Sequence, residues 1–136
     1  MKVGITGTRS GMTAEQKFLV HGFLSSVQGT ELHHGDCVGA DAEVAIMAQE
    51  LGYKIVCHPP EKSDLRAWVP ADEMRSPFSY FRRNRNIVDE CDVLLVVPYQ
   101  NSHQTSGGTW YTYDYAIKKS VRTEIIWPGE DRPMTI

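Results

Sequence analysis

Short apolar runs alternate with segments of helical spacing along the whole chain. Five runs have the length and composition of β-strands, at 2–6, 31–34, 53–58, 92–97 and 122–127. Four segments carry helical spacing, at about 13–27, 41–51, 80–90 and 107–119. This strict alternation of strand and helix predicts an α/β domain with a parallel five-stranded sheet and crossover helices.

The run 92–97 (DVLLVV) is nearly all apolar, which is typical of a central strand covered on both faces. In open α/β sheets, ligands bind beyond the carboxyl ends of the strands, where the strand order reverses. If the first and fourth strands flank that point, the loops after Thr6, His34 and Val97 converge there. These three loops are therefore the predicted location of a ligand site.

Local signals define the first helix and one long connection. Thr13 is the predicted N-cap, with Gln16 three residues on as in a capping box. Phe18, Leu19, Gly22, Phe23 and Val27 are expected along one side of this helix. The irregular segment 61–77 is predicted to be a lid, a binding loop or a disordered segment.

Composition indicates one ordinary globular domain. The 136 residues are 41% hydrophobic and 23% charged, with a formal net charge of −3. We expect a single domain over 1–136, with a core of about 1–127 and a short C-terminal tail. The acidic balance makes nucleic acid an unlikely partner, and no apolar run is long enough to span a membrane. Three cysteines without CxxC spacing indicate reduced thiols and a cytoplasmic protein.

The first glycine loop contains Gly7, Thr8 and Arg9, between a strand and a helix. Glycine permits close backbone approach, free N–H groups at a helix start attract anions, and arginine offers donors suited to phosphate. The alternative is a plain βα turn with a surface arginine, and the loop alone does not decide between them.

The second loop contains Gly35, Asp36 and Gly39, and its glycines again bring backbone near the sheet edge. Asp36 is a candidate acceptor for a ribose diol or a base amine. For Asp41, a structural role in the first helical turn is favoured over ligand binding. The spacing of His33, His34 and His58 fits no standard zinc pattern, so no metal site is expected.

Two further segments complete the candidate site. Arg82, Arg83 and Arg85 cannot all face one ligand, so one arginine is expected to reach the site, with Asn84 beside it. The alternative is a solvated helix face. Paired glycines opening a helix after a central strand are the best anion cradle in the chain, at Ser106, Gly107, Gly108 and Thr109. Trp110 is expected in the core.

Together these segments resemble the SLOG superfamily, a Rossmann-like nucleotide-binding group that includes the LOG phosphoribohydrolases and the DprA fold. The resemblance is greatest to its small YspA/YpsA-related members and covers nearly the whole chain. It lies in the motifs 4–9 (GITGTR), 35–41 (GDCVGAD), 83–85 (RNR) and 106–110 (SGGTW).

The resemblance implies a three-layer Rossmann-like domain with strand order 3-2-1-4-5 and a ligand crevice between the first and fourth strands. It also implies ligands that are nucleotides or ADP-ribose-like molecules. LOG enzymes use an arginine and a glutamate that follows a PGGxGTxxE motif. Arg83 is the counterpart of the arginine, whereas Tyr115 stands at the glutamate position and Asp114 beside it is the candidate substitute.

Three functions follow as hypotheses. The first is a sensor, sequestering or accessory protein that binds a nucleoside phosphate or an ADP-ribose-like molecule. The second is an N-glycosidic hydrolase of nucleoside 5′-monophosphates, with Arg83 and Asp114 as catalytic residues. The third is a ligand-free interaction domain. No cofactor is expected. The protein is expected to form a homo-oligomer, either a dimer or a higher assembly.

Overall fold

The structure is a computed structural model that describes residues 1–132. The strands are β1 (Lys2–Gly7), β2 (Glu31–His34), β3 (Lys54–Cys57), β4 (Glu73–Met74), β5 (Val93–Val97) and β6 (Arg122–Ile125). The helices are α1 (Ala14–Ser26), α2 (Ala40–Glu50), α3 (Tyr80–Glu90) and α4 (Gly108–Lys118). A short 3-10 helix (Gly129–Asp131) follows β6, so part of the expected tail is ordered, and 133–136 lie outside the described residues.

All strands are parallel, and their order across the sheet is β4-β3-β2-β1-β5-β6. The five predicted strands therefore stand in the predicted order, and the three-layer Rossmann-like class is confirmed. The expected count of five was wrong, because Glu73 and Met74 pair with Val56 and Cys57 as a sixth strand. Two partly exposed residues at a sheet edge have no apolar alternation that could mark them as a strand.

The core lies on both faces of the sheet, and β5 divides its side chains between them. Val93, Leu95 and Val97 pack in the cluster beneath α1 and α2. Leu94 and Val96 pack with Trp110 in the cluster beneath α3 and α4. Every residue of β5 is buried, as expected for a central parallel strand, and Trp110 occupies the predicted core position.

The N-terminus of α1 forms the predicted capping box. The Thr13 hydroxyl accepts from the Gln16 N–H at 3.1 Å, and the Gln16 side chain accepts from the Thr13 N–H at 3.0 Å. The buried Gln16 amide also donates to the carbonyls of Pro98 and Ile126, so α1 is tied to the chain that leaves β5 and β6.

The expected apolar side of α1 was partly wrong. Phe23 and Val27 do pack against the core, but Phe18 is 78% exposed and Leu19 is 43% exposed. The buried residues of α1 are Gln16, Val20 and Leu24, because the polar Gln16 is drawn inward by its backbone acceptors. A reading based on hydrophobicity alone assigns Gln16 to the surface.

The irregular segment 61–77 is held in place by Asp36, whose side chain is completely buried. Its carboxylate accepts from the N–H groups of Trp68 and Val69 and pairs with Arg66 Nε at 2.8 Å. The Asp36 carbonyl also accepts from the Ala67 N–H at 2.7 Å. Residues 66–69 are therefore bound to the carboxyl end of β2.

Among residues 1–132, no helix is both long enough and apolar enough to cross a membrane. This agrees with the absence of a long apolar run in the sequence.

Asp36→Ala tests the anchoring of the long segment. Removing the carboxylate leaves Arg66 and two backbone donors without their acceptor, and breaking a buried pair in this way costs about 3–5 kcal/mol. We expect that loss in the free energy of unfolding measured with urea, and faster proteolysis within 61–72. Asp64→Ala is the matched control, because Asp64 is an exposed aspartate of the same segment. Equal effects of the two substitutions would contradict the assigned role of Asp36.

Candidate functional site

A cavity of about 760 Å³ opens where β1 and β5 end, which is the predicted crevice. This volume lies within the usual range for small-molecule sites. Three cationic residues and two carboxyl groups line it, namely Arg9, Lys62, Arg83, Asp41 and Glu61. Predicted ligand residues that line it are Gly7, Thr8, Arg9, Arg83, Asn84, Gly108 and Thr109.

The β1–α1 loop forms one wall because it is clamped between two neighbours. The Thr8 N–H donates to the Val97 carbonyl at 3.0 Å, and the Thr8 carbonyl accepts from the Ala40 N–H at 2.9 Å. Gly7 has no room for a side chain, since a Cβ there would lie 2.6 Å from the Ala40 Cβ. The loop backbone is thereby fixed at the cavity edge, with Arg9 exposed toward solvent.

Gly39 supports this wall from behind. Its φ is +94°, and a Cβ there would lie 2.5 Å from the carbonyl oxygens of both Thr8 and Arg9. Gly39 does not line the main cavity. Gly39 was predicted to bind ligand. In the structure it has a positioning role, because its lack of a side chain lets the start of α2 contact the first loop.

Arg83 lies at the base of the cavity and is only 3% exposed. Its Nη1 donates to the carbonyls of Gly35 and His58, and its Nε donates to Asn84 Oδ1 at 2.7 Å. Arg83 forms no ion pair with any carboxylate that the structure describes. A buried cation whose neighbours are mainly neutral acceptors is a favourable partner for an anionic ligand.

The other two arginines point elsewhere, as the helical spacing indicated. Arg82 lies over the ring of Phe78, 4.1 Å from its centroid. Arg85 donates to the Tyr111 hydroxyl at 2.8 Å. Neither residue lines the cavity, so the run of arginines contributes one member to the site.

Asp41 is the buried carboxyl group that faces the cavity. It stands in the first turn of α2, and its Oδ2 accepts from the Gly35 N–H at 3.1 Å. Burial raises its pKa to about 6, although the Arg83 charge and the backbone hydrogen bonds oppose the rise. The sequence favoured a structural role for Asp41, and the structure gives it cavity exposure as well.

Cys37 lies beside Arg83 and Asp41, with its Sγ 3.5 Å from Arg83 Nη2. Burial raises the pKa of the Cys37 thiol, and the Asp41 charge raises it further. Cys37 therefore presents a protonated thiol to the cavity at neutral pH.

Asp36 and Gly35 are placed behind the cavity instead of on its surface. The Asp36 carboxylate is fully occupied by residues 66–69, and Asp36 is absent from the cavity lining. Gly35 contributes its carbonyl to Arg83, and there is no space for a Cβ because the Arg83 guanidinium lies 2.6 Å away. Both residues support the residues of the cavity wall from behind.

The start of α4 supplies the opposite wall through Gly108 and Thr109. Gly107 is the N-cap and has no side chain to satisfy the free N–H groups of the first turn, so these groups are open to an anion. Ser106 and Gly107 precede the wall and do not line the cavity.

Asp114 is remote from this chemistry. It is exposed on α4, does not line the cavity, and pairs with His103 Nε2 at 2.8 Å. The structure does not bring Asp114 together with Arg83, its expected catalytic partner.

Several lining residues escaped the sequence analysis, and the aromatic ones are the most informative. Tyr80 and Phe81 begin α3, and Tyr99 follows β5 by two residues. Both Arg9 and Arg83 lie over the Tyr80 ring, at 5.7 and 5.5 Å from its centroid. Tyr99 could have been found because it follows a central strand. The other lining residues that were not predicted to bind ligand are Ile5, Thr6, Ser10, Cys37, Pro60, Glu61, Lys62 and Ser79.

No known family model and no curated protein matches this chain. Solved structures do share its fold. The molybdenum cofactor binding protein from Rippkaea orientalis superposes with a TM-score of 0.69 at 16% identity, over 91% of this chain and 74% of that one. The Moco carrier protein from Chlamydomonas reinhardtii gives a TM-score of 0.65 at 21% identity, over 92% and 75%.

DNA processing protein A (DprA) from Streptococcus pneumoniae gives a TM-score of 0.68 at 17% identity. The match covers 91% of this chain and 49% of that chain, so this sequence spans about half the length of DprA. At identities of 16–21% these superpositions show a shared fold, and DprA is among the proteins whose fold the sequence resemblance named.

Asp41→Asn tests the buried carboxyl group through pH. Because the pKa of Asp41 in the folded protein lies above the ordinary aspartate value of 3.8, the folded state holds the proton more tightly than the unfolded chain. Asp41 therefore destabilises the fold increasingly as pH rises from about 4 to 6, by an amount on the order of 2–3 kcal/mol. Below pH 4 both states are protonated and the penalty disappears.

We expect the free energy of unfolding of Asp41→Asn, relative to the original protein, to rise across this interval and to level off above it. Urea denaturation at closely spaced pH values measures the difference. Asp64→Asn is the control and should show no such rise. A constant difference across the interval would contradict the raised pKa.

Proposed function

We propose that this protein binds a nucleoside phosphate or an ADP-ribose-like molecule in the cavity. The observation that carries the proposal is the buried Arg83 guanidinium, which faces the cavity without an ion pair to any described carboxylate. Two neighbouring structures belong to proteins described as binding or carrying the molybdenum cofactor, which supports small-molecule binding by this fold.

The parts of the cavity suit the parts of such a ligand. The free N–H groups at Gly108 and Thr109, with the Arg9 side chain opposite, suit phosphate oxygens. The rings of Tyr80 and Tyr99 line the cavity and offer apolar surface to a base, with Arg9 and Arg83 over Tyr80 and Arg132 over Tyr99. Asp41 offers an acceptor for a ribose hydroxyl. We assign the protein a sensor, sequestering or accessory role on this basis.

An open cavity of this size also favours ligand binding over a ligand-free interaction domain. Three statements stay predictions from the sequence. They are that nucleic acid is an unlikely partner, that the protein forms a homo-oligomer, and that it is cytoplasmic.

Arg9→Ala tests the phosphate wall. Hydrogen bonds to charged groups contribute about 1.5–3 kcal/mol, so the variant should bind ADP and ADP-ribose roughly 10- to 150-fold more weakly. Adenosine, which has no phosphate, should bind both proteins equally. Thermal shift titrations measure this, since a ligand at 100 times its Kd adds about 2.7 kcal/mol of apparent stability.

Arg82→Ala is the matched control, because Arg82 is an exposed arginine next to Arg83 that does not line the cavity. It should leave both titrations unchanged. A complete lack of stabilisation by AMP, ADP and ADP-ribose would overturn the proposal. Mass spectrometry of material released from the purified protein identifies the ligand independently.

Asp41 also favours a second function, hydrolysis of the N-glycosidic bond of a nucleoside 5′-monophosphate. The C1′–N bond breaks, the oxygen of water bonds to C1′, Asp41 accepts the proton of that water, and solvent protonates the departing base. A carboxyl group with a pKa of about 6 is suited to this proton transfer near neutral pH. The role assigned to Asp114 from the sequence passes here to Asp41.

Release of free base from a panel of monophosphates tests this second function. Removing a general base typically costs about 10²- to 10⁴-fold, so Asp41→Asn should lose at least 100-fold in rate. Asp114→Asn, the same substitution outside the cavity, should retain the original rate. No release from any monophosphate would exclude hydrolysis and leave the binding proposal intact.

A further inference from the structure

Behind the cavity, three elements bring together side chains whose spacing in the sequence did not indicate a metal site. His33 lies on β2, His58 directly follows β3, and Glu90 ends α3. One potential ligand atom from each lies within 4.8 Å of the other two. Parallel neighbours in the sheet bring residues 33 and 58 close together, although 25 positions separate them in the chain.

The His33 ring is oriented by a carboxylate. Its Nε2 lies 2.8 Å from Glu31 Oε1, an arrangement that suits a ring proton on Nε2 and leaves Nδ1 directed at His58. A carboxylate that holds the far nitrogen of an imidazole is the usual outer support of a metal-binding histidine. His58 Nε2 lies 2.8 Å from this Nδ1.

Arg75 holds both oxygens of Glu90, and the closer contacts go to Oε1. Oε1 accepts from Arg75 Nη2 at 2.8 Å and from Nε at 3.2 Å, whereas Oε2 accepts from Nε at 3.4 Å and lies 3.8 Å from His58 Nε2. Oε2 is therefore the more weakly held oxygen and the one near the imidazoles. Ligating carboxylates commonly carry such a hydrogen bond on the second oxygen.

Burial and charge both suit a cation at this place. His33 is 0% exposed and His58 is 2% exposed, so both rings are fixed by the packing around them and are screened from bulk water. The Glu90 side chain is 35% exposed and gives access from solvent. The carboxylates of Glu31 and Glu90 lie next to the two imidazoles, and Arg75 pairs with Glu90.

We propose that His33, His58 and Glu90 bind a divalent transition metal of the Zn²⁺ type. Imidazole nitrogens favour Zn²⁺ and its first-row neighbours over Mg²⁺ or Ca²⁺, and two histidines with one carboxylate leave a fourth tetrahedral position for water. Two nitrogens bound to zinc lie about 3.3 Å apart, so the rings separate by about 0.5 Å and the His58 proton moves to Nδ1.

The metal would join β2, β3 and α3 at one point, close to the ligand cavity. The His58 carbonyl accepts from Arg83 Nη1 at 3.1 Å, and Arg83 stands two turns before Glu90 on the same helix. An ion at this site therefore fixes the segment that positions Arg83. The inference does not depend on the identity of the cavity ligand.

Equilibrium dialysis of the full chain against Zn²⁺, together with the visible spectrum of the Co²⁺ form, tests the site. We expect one ion per chain and a Co²⁺ spectrum typical of tetrahedral coordination, with no competition from excess Mg²⁺. Glu90→Gln should raise the Kd for Zn²⁺ at least about 10-fold, and Glu31→Gln should raise it about 10- to 100-fold through loss of the outer support.

His21→Ala is the control, since it removes an exposed imidazole from α1 and should leave binding unchanged. His58→Gln should abolish binding, and if that variant does not fold, the partly exposed Glu90 decides the question through Glu90→Gln. The proposal is overturned if no ion binds at one per chain, if Glu90→Gln binds Zn²⁺ as the original protein does, or if His21→Ala removes the binding.

Discussion

The buried guanidinium of Arg83 connects the parts of the molecule that matter for function. It is held by the carbonyls of Gly35 and His58, which follow β2 and β3, while its own backbone belongs to α3. Taking a cation out of water costs free energy that neutral carbonyls offset only in part. The guanidinium therefore lies at the base of the cavity among neutral carbonyls, with the Asp41 carboxyl group lining the same cavity and no ion pair between Arg83 and any described carboxylate.

Asp36 and Asp41 lie five positions apart and have different roles in the structure. The Asp36 carboxylate accepts hydrogen bonds from the backbone of residues 68 and 69 and pairs with Arg66, so Asp36 has a structural role. Asp41 accepts from the Gly35 N–H and still faces the cavity, with a pKa raised by burial to about 6. Hydrogen-bond partners that are distant in sequence decide which aspartate has which role.

Periodicity predicted the layers and the parallel sheet, whereas the strand order followed from the resemblance to the SLOG superfamily, which also implied a crevice between the first and fourth strands. The sequence could also predict that a single arginine of the run at 82–85 reaches the site, since helical spacing separates the others. It could not predict β4, because two residues at a sheet edge leave no pattern. The capping role of Gln16 was predicted from its position relative to Thr13, yet its burial depended on distant carbonyls. The same limit explains Asp114, whose place beside His103 follows from how α4 is oriented.

The segment 61–77 is fixed at only part of its length. Asp36 binds residues 66–69, and pairing with β3 holds residues 73–74. Glu61 and Lys62, by contrast, are exposed side chains at the cavity rim. The hydrogen bonds that anchor this connection and the side chains that it contributes to the cavity lining thus belong to separate stretches. Substitutions at 61 and 62 would change the shape and charge of the rim without removing any of the hydrogen bonds that Asp36 makes to residues 66–69.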